Sequence, residues 1–146
     1  MLSCRLMPLT PKAQGFAELL DESRRSGYRM LARFEEGWSS GTNRFDQPGE
    51  MMLGAFTEAK LIGAGGRSID PYDRDPTVGR LRHVYVAQNS RGLGIGHMLI
   101  AQVLADAADH FTQMNVRAPV DAFGFYEHLG FARVVGRETV THSLRL

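Results

Sequence analysis

The residues best suited to chemistry form a glycine-rich turn, Arg-Gly-Leu-Gly-Ile-Gly, from Arg91 to Gly96. A β-branched segment ends just before this turn, and the spacing of apolar residues predicts a long helix that begins within it. Glycine lets the backbone turn tightly and approach a ligand closely, and a helix N-terminus presents unpaired N–H groups with a partial positive charge. Arg91 adds a full positive charge. These features together predict a binding site for a phosphate or pyrophosphate group.

Two common phosphate-binding loops do not match this turn. A Walker loop needs a lysine after its spacer residues, but the chain has only two lysines, Lys12 and Lys60, and neither is near the turn. The dinucleotide fingerprint Gly-x-Gly-x-x-Gly fails because His97 stands at the third glycine position. Taken alone, the glycines are also compatible with a tight strand-to-helix turn that binds nothing.

The elements that must position this turn follow from hydrophobic periodicity and from helix and turn signals. Thr10 and Pro11 indicate an N-cap and a first-turn proline, so the first helix is predicted to run from there to residue 27. The other predicted helices are 27–37, 94–111 and 120–129. The predicted strands are 3–7, 50–56, 61–69, 80–86, 115–118, 131–135 and 140–146, with a hairpin turn at 58–60 and loops at 39–49 and 70–77. The resulting order, β-α-α-β-β-β-α-β-α-β-β, predicts a mixed α/β sheet.

Composition limits the classes of function. The 146 residues fit one domain, 1–146, and the charges are balanced, with 17 basic and 16 acidic residues. This balance argues against a protein that binds nucleic acid or a membrane surface through bulk charge. Cys4 is the single cysteine, so an intramolecular disulfide or a cysteine-based zinc site cannot form, and the histidines are not spaced for a metal site. With no long apolar run and no signal-peptide pattern, we expect a cytoplasmic protein without a metal.

Two motifs resemble those of a known family. Arg91-x-x-Gly94-x-Gly96, after the strand end Tyr-Val, resembles the acetyl-CoA motif Gln/Arg-x-x-Gly-x-Gly/Ala of the GNAT N-acetyltransferase superfamily. Residues 122–131, Ala-Phe-Gly-Phe-Tyr-Glu-His-Leu-Gly-Phe, are similar to the family's C-terminal motif. The motifs occur in the family's order and at its usual separation, and the order of elements is similar along nearly the whole chain. The resemblance implies an α/β (α+β) fold whose mixed, mostly antiparallel central sheet is flanked by helices.

The resemblance also implies ligands and residue roles. Acetyl-CoA is the expected cosubstrate, and the acceptor is expected to be a small-molecule or peptide amine, bound beside segment 27–49 with its Trp38, Arg44 and Phe45. Tyr126 matches the family's tyrosine that protonates the departing CoA thiolate. Many members form dimers, so a homodimer is compatible with the resemblance. The implied cofactor-binding residues are Val84, Tyr85, Val86, Arg91, Gly92, Leu93, Gly94, Ile95 and Gly96.

Strand alternation makes a separate prediction about the acceptor side. If Val84 and Val86 face the cofactor, the period of two places Arg80 and Arg82 on the same face, with His83 and Tyr85 behind it. We therefore expect the two arginines either to pair with nearby acids such as Glu50 or Asp70, or to bind an acidic group of the acceptor.

The general base is less well defined by the sequence. The predicted strand 80–86 has no carboxylate, and Pro119 stands where the family often has an asparagine that contacts the cofactor. His83 is a candidate base because its ordinary pKa is near 6.5, although alternation points it toward the helix layer. Weaker candidates are Glu50, Asp121 and the acidic loop residues Asp70, Asp73 and Asp75.

Two functions follow from these observations. The leading one is an enzyme, an N-acetyltransferase that moves the acetyl group of acetyl-CoA directly to an amine in a ternary complex. The position of Cys4, far from both motifs, gives no support to a covalent acyl-cysteine route. The alternative is a GNAT-like module that binds acyl-CoA without turnover, as a sensor or interaction domain. Release of the CoA thiol in the presence of amines distinguishes the two.

Overall fold

A computed structural model of the chain describes residues 3–58 and 60–146, and its elements follow one another in the predicted order. The helices are α1 (Phe16–Arg25), α2 (Met30–Ser40), α3 (Ile95–Leu104) and α4 (Phe123–His128). Single 3₁₀ turns cover Gln88–Ser90, Ala107–Asp109 and Val120–Ala122. The strands are β1 (Arg5–Pro8), β2 (Met51–Thr57), β3 (Lys60–Ile69), β4 (Val78–Val86), β5 (Gln113–Val116), β6 (Ala132–Arg133) and β7 (His142–Arg145).

The strands form one mixed sheet in the order β1-β2-β3-β4-β5-β7-β6. Every pair is antiparallel except β4 and β5, which are parallel. The β2–β3 hairpin closes with Thr57 opposite Lys60, and residue 59 of the predicted turn lies outside the described residues. The mixed, mostly antiparallel sheet flanked by helices is thus confirmed.

The helices bury the two faces of the sheet with different apolar side chains. Phe34 of α2 packs on the face where His83 of β4 points, with 5.7 Å between the ring centroids. Leu99 of α3 packs on the other face, because a Cβ placed at Gly63 of β3 would lie 3.2 Å from its Cδ1. Helix α3 therefore lies on the opposite side of the sheet from α2. Residues buried in these layers include Phe16, Leu31, Phe34, Leu99, Ile100 and Val103.

The first helix begins later than predicted. Gly15, with a φ of 89°, precedes Phe16 as the N-cap, and a Cβ at Gly15 would lie 2.9 Å from the backbone nitrogen of Leu61. Thr10 instead forms a separate turn, in which its carbonyl accepts the N–H of Ala13 (3.0 Å). The close approach of Gly15 to β3 fixes the start of α1. Thr10 therefore lies in a turn before the helix and does not cap it.

Helix α3 ends earlier than the predicted 94–111. The Arg67 guanidinium donates to the carbonyl of Val103 (2.6 Å) and to the Asp106 carboxylate (2.5 Å). A carbonyl near the helix end is thereby used by a side chain, and the chain continues as a 3₁₀ turn that still buries Ala107. The predicted helix 120–129 likewise has a 3₁₀ first turn, and the predicted strand 131–135 is reduced to two residues.

Candidate functional site

A cleft opens where β4 and β5 separate. The two strands pair between Val78–Arg80 and Gln113–Asn115, and no other strand among the described residues pairs with the rest of β4 on that edge. Unpaired backbone groups of a strand edge can bond to an extended ligand. The cleft has a volume of about 530 Å³ and lies between this edge and the start of α3. Its lining includes Tyr28, Val84, Tyr85, Val86, Arg91, Gly94, His97, Asp121 and Tyr126.

The N-terminus of α3 faces this cleft with free N–H groups. Gly94 is the N-cap in the left-handed conformation, with a φ of 82°, and among the described residues no side chain caps the helix. The first backbone hydrogen bond at this end runs from the N–H of Met98 to the carbonyl of Gly94 (3.0 Å). The N–H groups of the first turn are therefore available to an anion, and the helix dipole favours a negative charge there.

The three glycines of the turn have different roles. Cβ atoms at Gly92 and Gly94 would meet no described atom within 4 Å, and both residues have a positive φ, so glycine is needed there for backbone conformation. A Cβ at Gly96 would lie 3.3 Å from Cζ of Phe125 on α4. Gly96 therefore serves the packing of α3 against α4, in addition to leaving the cleft open.

Contacts from α1 and β4 hold the turn in place. The Tyr85 hydroxyl donates to the Glu22 carboxylate (2.5 Å), which also accepts the N–H of Gln88 (3.1 Å). Burial and the nearby Glu22 carboxylate raise the pKa of Tyr85. The Nε–H of Arg91 donates to the carbonyl of Val86 (3.1 Å), and its guanidinium lies over the Tyr85 ring, 5.4 Å from the centroid. The Arg91 cation is thus held at the mouth of the cleft.

Tyr126 places a protonated hydroxyl in the cleft. Its side chain is 4% exposed and packs edge to face against Phe125 and Phe131, with ring centroids 5.1 and 5.6 Å away. The structure shows no hydrogen bond from this hydroxyl to another described residue. Burial raises the pKa of Tyr126 well above its ordinary value. The group is therefore protonated near neutral pH, where it can donate a hydrogen bond to a ligand but cannot act as a base.

A β-bulge in β4 reverses the predicted alternation. His83 has a φ of 56°, and the register between β3 and β4 shifts between Ala64 and Gly66. Before the bulge, the odd-numbered Gly79 faces Phe111 and Met114. After it, the even-numbered Val84 faces Leu99 of α3. The extra residue shifts the pleat by one position.

Arg80 and Arg82 therefore do not share a face with Val84 and Val86, and that prediction is wrong. They lie on the α2 face together with His83, and neither arginine lines the 530 Å³ cleft. Arg80 is 4% exposed; it donates to Asp70 (3.1 Å) and to the carbonyl of Thr139 (2.7 Å). Arg82 is half-buried and donates only to the Ser68 hydroxyl (3.0 Å) among the described residues.

The candidate bases are mostly committed elsewhere. The His83 ring lies between Phe34 and Phe45, with centroids 5.7 and 5.9 Å away; burial, followed by the charges of Arg82 and Arg33, lowers the pKa of His83 to about 3. His83 is thus neutral and a very weak base near pH 7. Glu50 accepts the backbone N–H groups of Gln47 (3.2 Å) and Ile69 (2.9 Å).

Asp121 is the one carboxylate among the described residues that line the cleft. It accepts the hydroxyl of Tyr28 (2.8 Å), which joins the α1–α2 connection to the 3₁₀ turn before α4. This bond, then burial, raise the pKa of Tyr28.

Most of the predicted cofactor-binding residues meet in the cleft. Eight of the nine line it; the ninth, Leu93, is 57% exposed and does not. Tyr28, Met30, His97 and Phe125 also line the cleft, although they were not predicted as ligand contacts. Tyr28 directly follows Gly27, which ends the first predicted helix. An aromatic residue at this connection between two helices was the sequence signal that could have indicated a ligand contact.

Two features are absent from the described residues. Within 3–58 and 60–146, no group of three or more histidine, cysteine, aspartate or glutamate side chains could hold a metal ion. No helix in the same ranges is long and apolar enough to cross a lipid bilayer.

Comparisons with known proteins agree on one family. A family model described as an acetyltransferase (GNAT) domain matches residues 14–146. A protein from Exiguobacterium sp. 255-15, assigned as an acetyltransferase, has a crystal structure that superposes with a TM-score of 0.88 at 25% identity, covering 99% of this chain and 94% of that one. No curated protein sequence matches.

Two more distant structures show the same fold. Glucosamine-6-phosphate N-acetyltransferase from Arabidopsis thaliana superposes with a TM-score of 0.70 at 18% identity, over 94% of this chain and 97% of that one. Ribosomal-protein-alanine N-acetyltransferase from Brucella melitensis gives 0.71 at 18% identity, over 97% and 99%. The acceptors in these two names are chemically different, so the shared fold does not define an acceptor.

Proposed function

The chain belongs to the GNAT acetyltransferase family, and we propose that residues 1–146 act as one acetyl-CoA-dependent N-acetyltransferase domain that transfers the acetyl group directly to an amine. The observation that carries this proposal is the cleft itself. It joins an unpaired strand edge to a glycine-lined helix N-terminus, which suits a ligand with an extended amide-bearing arm and a pyrophosphate. Acetyl-CoA has both parts, and when bound it supplies the thioester.

The chain's own residues divide the binding of acetyl-CoA between them. The free N–H groups of the first turn of α3 would bind the pyrophosphate, with Arg91 adding charge. The open edge at Val84–Val86 would bond to the pantetheine arm. In the structure the carbonyl of Val86 accepts a hydrogen bond from the Nε–H of Arg91. Arg91 would have to give up this bond if the pantetheine arm uses the same carbonyl.

Tyr126 would serve the departing thiolate. Its hydroxyl is in the cleft, retains its proton because burial raises its pKa, and has no partner among the described residues to give up. A positioned general acid contributes typically 10²–10⁴-fold to a rate. We propose that Tyr126 donates its proton, or at least a hydrogen bond, to the CoA sulfur.

The amine must lose a proton before it attacks. His83 is unsuited because its pKa is about 3. Asp121 lies in the cleft but accepts the Tyr28 hydroxyl. We therefore propose that water in the open cleft carries the amine proton to solvent. The same shortage of a free base is the observation that favours the second candidate function, an acyl-CoA-binding module without turnover.

The cofactor assignment is tested by a matched pair of glycine variants. Gly94 and Gly136 have φ values of 82° and 86°, and a Cβ at either would meet no described atom within 4 Å. Valine should strain the backbone similarly at both, but only Gly94 lines the cleft. We expect CoA at 100 times its Kd to stabilise the wild type by about 2.7 kcal/mol. Gly136→Val should keep the resulting rise in Tm, whereas Gly94→Val should lose it.

An equal CoA-induced shift in both variants would show that CoA does not use this turn. Turnover is measured separately, as release of the CoA thiol from acetyl-CoA with a panel of amines. Thiol release that depends on an amine supports the enzyme. Binding of CoA without thiol release for any amine supports the module instead.

A further inference from the structure

A second concave region lies on the α2 face of the sheet. Two adjoining cavities of about 390 and 400 Å³ are bounded by α2, the segment 41–50 and strand β4. They share Thr42, Asn43 and Arg82 in their linings. Arg82 therefore lies where the two cavities meet. We call this region the Arg82 groove.

Arg82 has unused hydrogen-bonding capacity in this groove. A guanidinium carries five N–H donors, and the structure shows one of them bonded, from Nη1 to the Ser68 hydroxyl (3.0 Å). Among the described residues Arg82 forms no ion pair, in contrast to its neighbour Arg80. Burial, followed by the positive charge of Arg80, lowers the pKa of Arg82.

The nearest acids do not satisfy this cation. The Asp70 carboxylate already accepts hydrogen bonds from Arg80 (3.1 Å) and from the Asn115 amide (2.9 Å). Glu50 uses one carboxylate oxygen for the N–H of Gln47 (3.2 Å) and the other for the N–H of Ile69 (2.9 Å). Both acids lessen the local positive charge, but neither supplies an oxygen bonded to Arg82.

The remaining charges of the groove lie at its rim. Arg33 and Glu36 on α2, and Arg44 and Asp46 on the segment 41–50, are exposed and of opposite sign within each pair. They contribute little net charge at the centre. The half-buried guanidinium of Arg82 is thus the main feature that could bind an anion there.

Strand β4 borders both this groove and the cofactor cleft. Arg82 is two residues from Val84, which lines the cleft, so their Cα atoms are at most about 7 Å apart, with the two side chains on opposite faces of the sheet. A compact molecule could place one group beside Arg82 and another at the cleft. His83, the residue between them in sequence, lines the groove, and its neutral ring adds no charge there.

We propose that the acceptor is a primary amine that also carries an oxyanion, a carboxylate or a phosphate monoester, and that Arg82 binds this oxyanion in the Arg82 groove. The inference rests on the proposed acetyltransferase function and narrows its acceptor class. Arg82 is a specificity-determining residue in this account. It has no part in the binding of acetyl-CoA.

Matched acceptors and variants test the proposal. One pair is an L-amino acid and its α-amide, across the common amino acids; the other is O-phosphoethanolamine and ethanolamine. We expect the wild type to prefer the anionic member of at least one pair. Arg82→Gln should raise KM for that member by about 10- to 100-fold, because a charge-assisted bidentate contact is lost. The KM for its neutral partner and the KM for acetyl-CoA should change less than about twofold, because in this account neither ligand contacts Arg82.

Two further variants control for charge and folding. Arg24→Gln removes one positive charge from an exposed position on α1, outside both cavities, and should leave every KM unchanged. Arg82→Lys keeps the charge without the planar fork and should restore part of the preference. Thermal melts of all variants show whether a loss reflects unfolding.

The outcomes separate this inference from the function on which it depends. A preference in the amino acid pair alone identifies a carboxylate, and one in the phosphoethanolamine pair alone identifies a phosphate. Equal efficiency for charged and neutral amines, equal losses in Arg82→Gln, or acetylation of neutral amines but of no anionic amine would overturn the inference. Failure of the wild type to bind CoA, or binding of CoA without acetylation of any amine, would instead overturn the proposed acetyltransferase function.

Discussion

Asp70 holds a buried cation next to the point where β4 and β5 separate, and Asp70→Asn should destabilise the protein strongly. Asp70 is 1% exposed and Arg80 is 4% exposed. The carboxylate accepts Arg80 Nε (3.1 Å), the Asn115 amide (2.9 Å) and the N–H of Tyr72 (2.9 Å). Breaking a buried ion pair by removing one partner costs about 3–5 kcal/mol. We expect a loss of this size for Asp70→Asn, because the Arg80 cation remains buried without its counter-charge.

The pH dependence has a defined sign. Burial acts to raise the pKa of Asp70, but the bonds from Asn115, Tyr72 and Arg80 outweigh it and the net pKa is lowered. A folded-state pKa below the unfolded value of about 3.9 means that the stabilisation is complete above that pH and is lost as pH falls through the folded value. The gap between wild type and Asp70→Asn should therefore be constant from pH 7 to about 5 and should narrow in stronger acid.

Urea unfolding at pH 7, 5 and 3 measures both effects. Asp21→Asn is the matched control: it makes the same chemical change in an exposed i,i+4 pair with Arg25, and should cost at most about 0.5 kcal/mol. Asp70→Asn combined with Arg80→Met should be more stable than Asp70→Asn alone, since the orphaned charge is gone. A loss below about 1 kcal/mol at pH 7, or a gap that does not narrow in acid, would refute this account of the pair.

Three further outcomes are expected. Tyr126→Phe should lower turnover by about 10²–10⁴-fold, because the proposed donor to the CoA sulfur is lost. CoA affinity should be kept, because the hydroxyl has no described partner in the protein. Steady-state kinetics and a thermal melt measure both effects, and a drop in turnover below about threefold would assign Tyr126 to packing. His83→Phe should leave the pH–rate profile between pH 5 and 8 unchanged, because the pKa of His83 is about 3; a lost inflection near 6.5 would contradict this. Gly66→Ala should impair folding, because its Cβ would clash with the carbonyl oxygen of Met51. Gly124→Ala, whose Cβ would meet no described atom within 4 Å, should fold, and matching circular dichroism spectra for the two variants would contradict this steric explanation.

The order of elements could be predicted because local signals agreed with it. The apolar stripe of α3, the glycines before it and the alternation in the outer strands each depend on neighbouring residues. The ends of the helices were less predictable. Helix α1 starts after Gly15 because Gly15 closely approaches Leu61. Near the end of α3, the carbonyl of Val103 accepts a hydrogen bond from Arg67 on strand β3. Such boundaries depend on tertiary contacts that the spacing of residues does not contain.

The candidate site divides in the same way. The turn that faces the cleft is continuous in sequence, so its residues could be named in advance. The bulge at His83 carries no glycine or proline signal, so alternation was extended through it and placed Arg80 and Arg82 on the wrong face. The bond between Tyr28 and Asp121 joins residues 93 positions apart, and nothing local indicates it.

The bulge at His83 also bears on how β4 can evolve. Because one extra residue shifts the pleat, Arg82 before the bulge and Val84 after it point to opposite faces of the sheet, although regular alternation would place them on the same face. Substitutions at position 82 can alter one face without touching the residues at 84 and 86. If the proposed function holds, selection could thus change the acceptor through position 82 while the binding of acetyl-CoA stays the same. Deleting one residue from the bulge would exchange the faces of everything before it, so drift in strand length should be far less tolerated than drift in residue type.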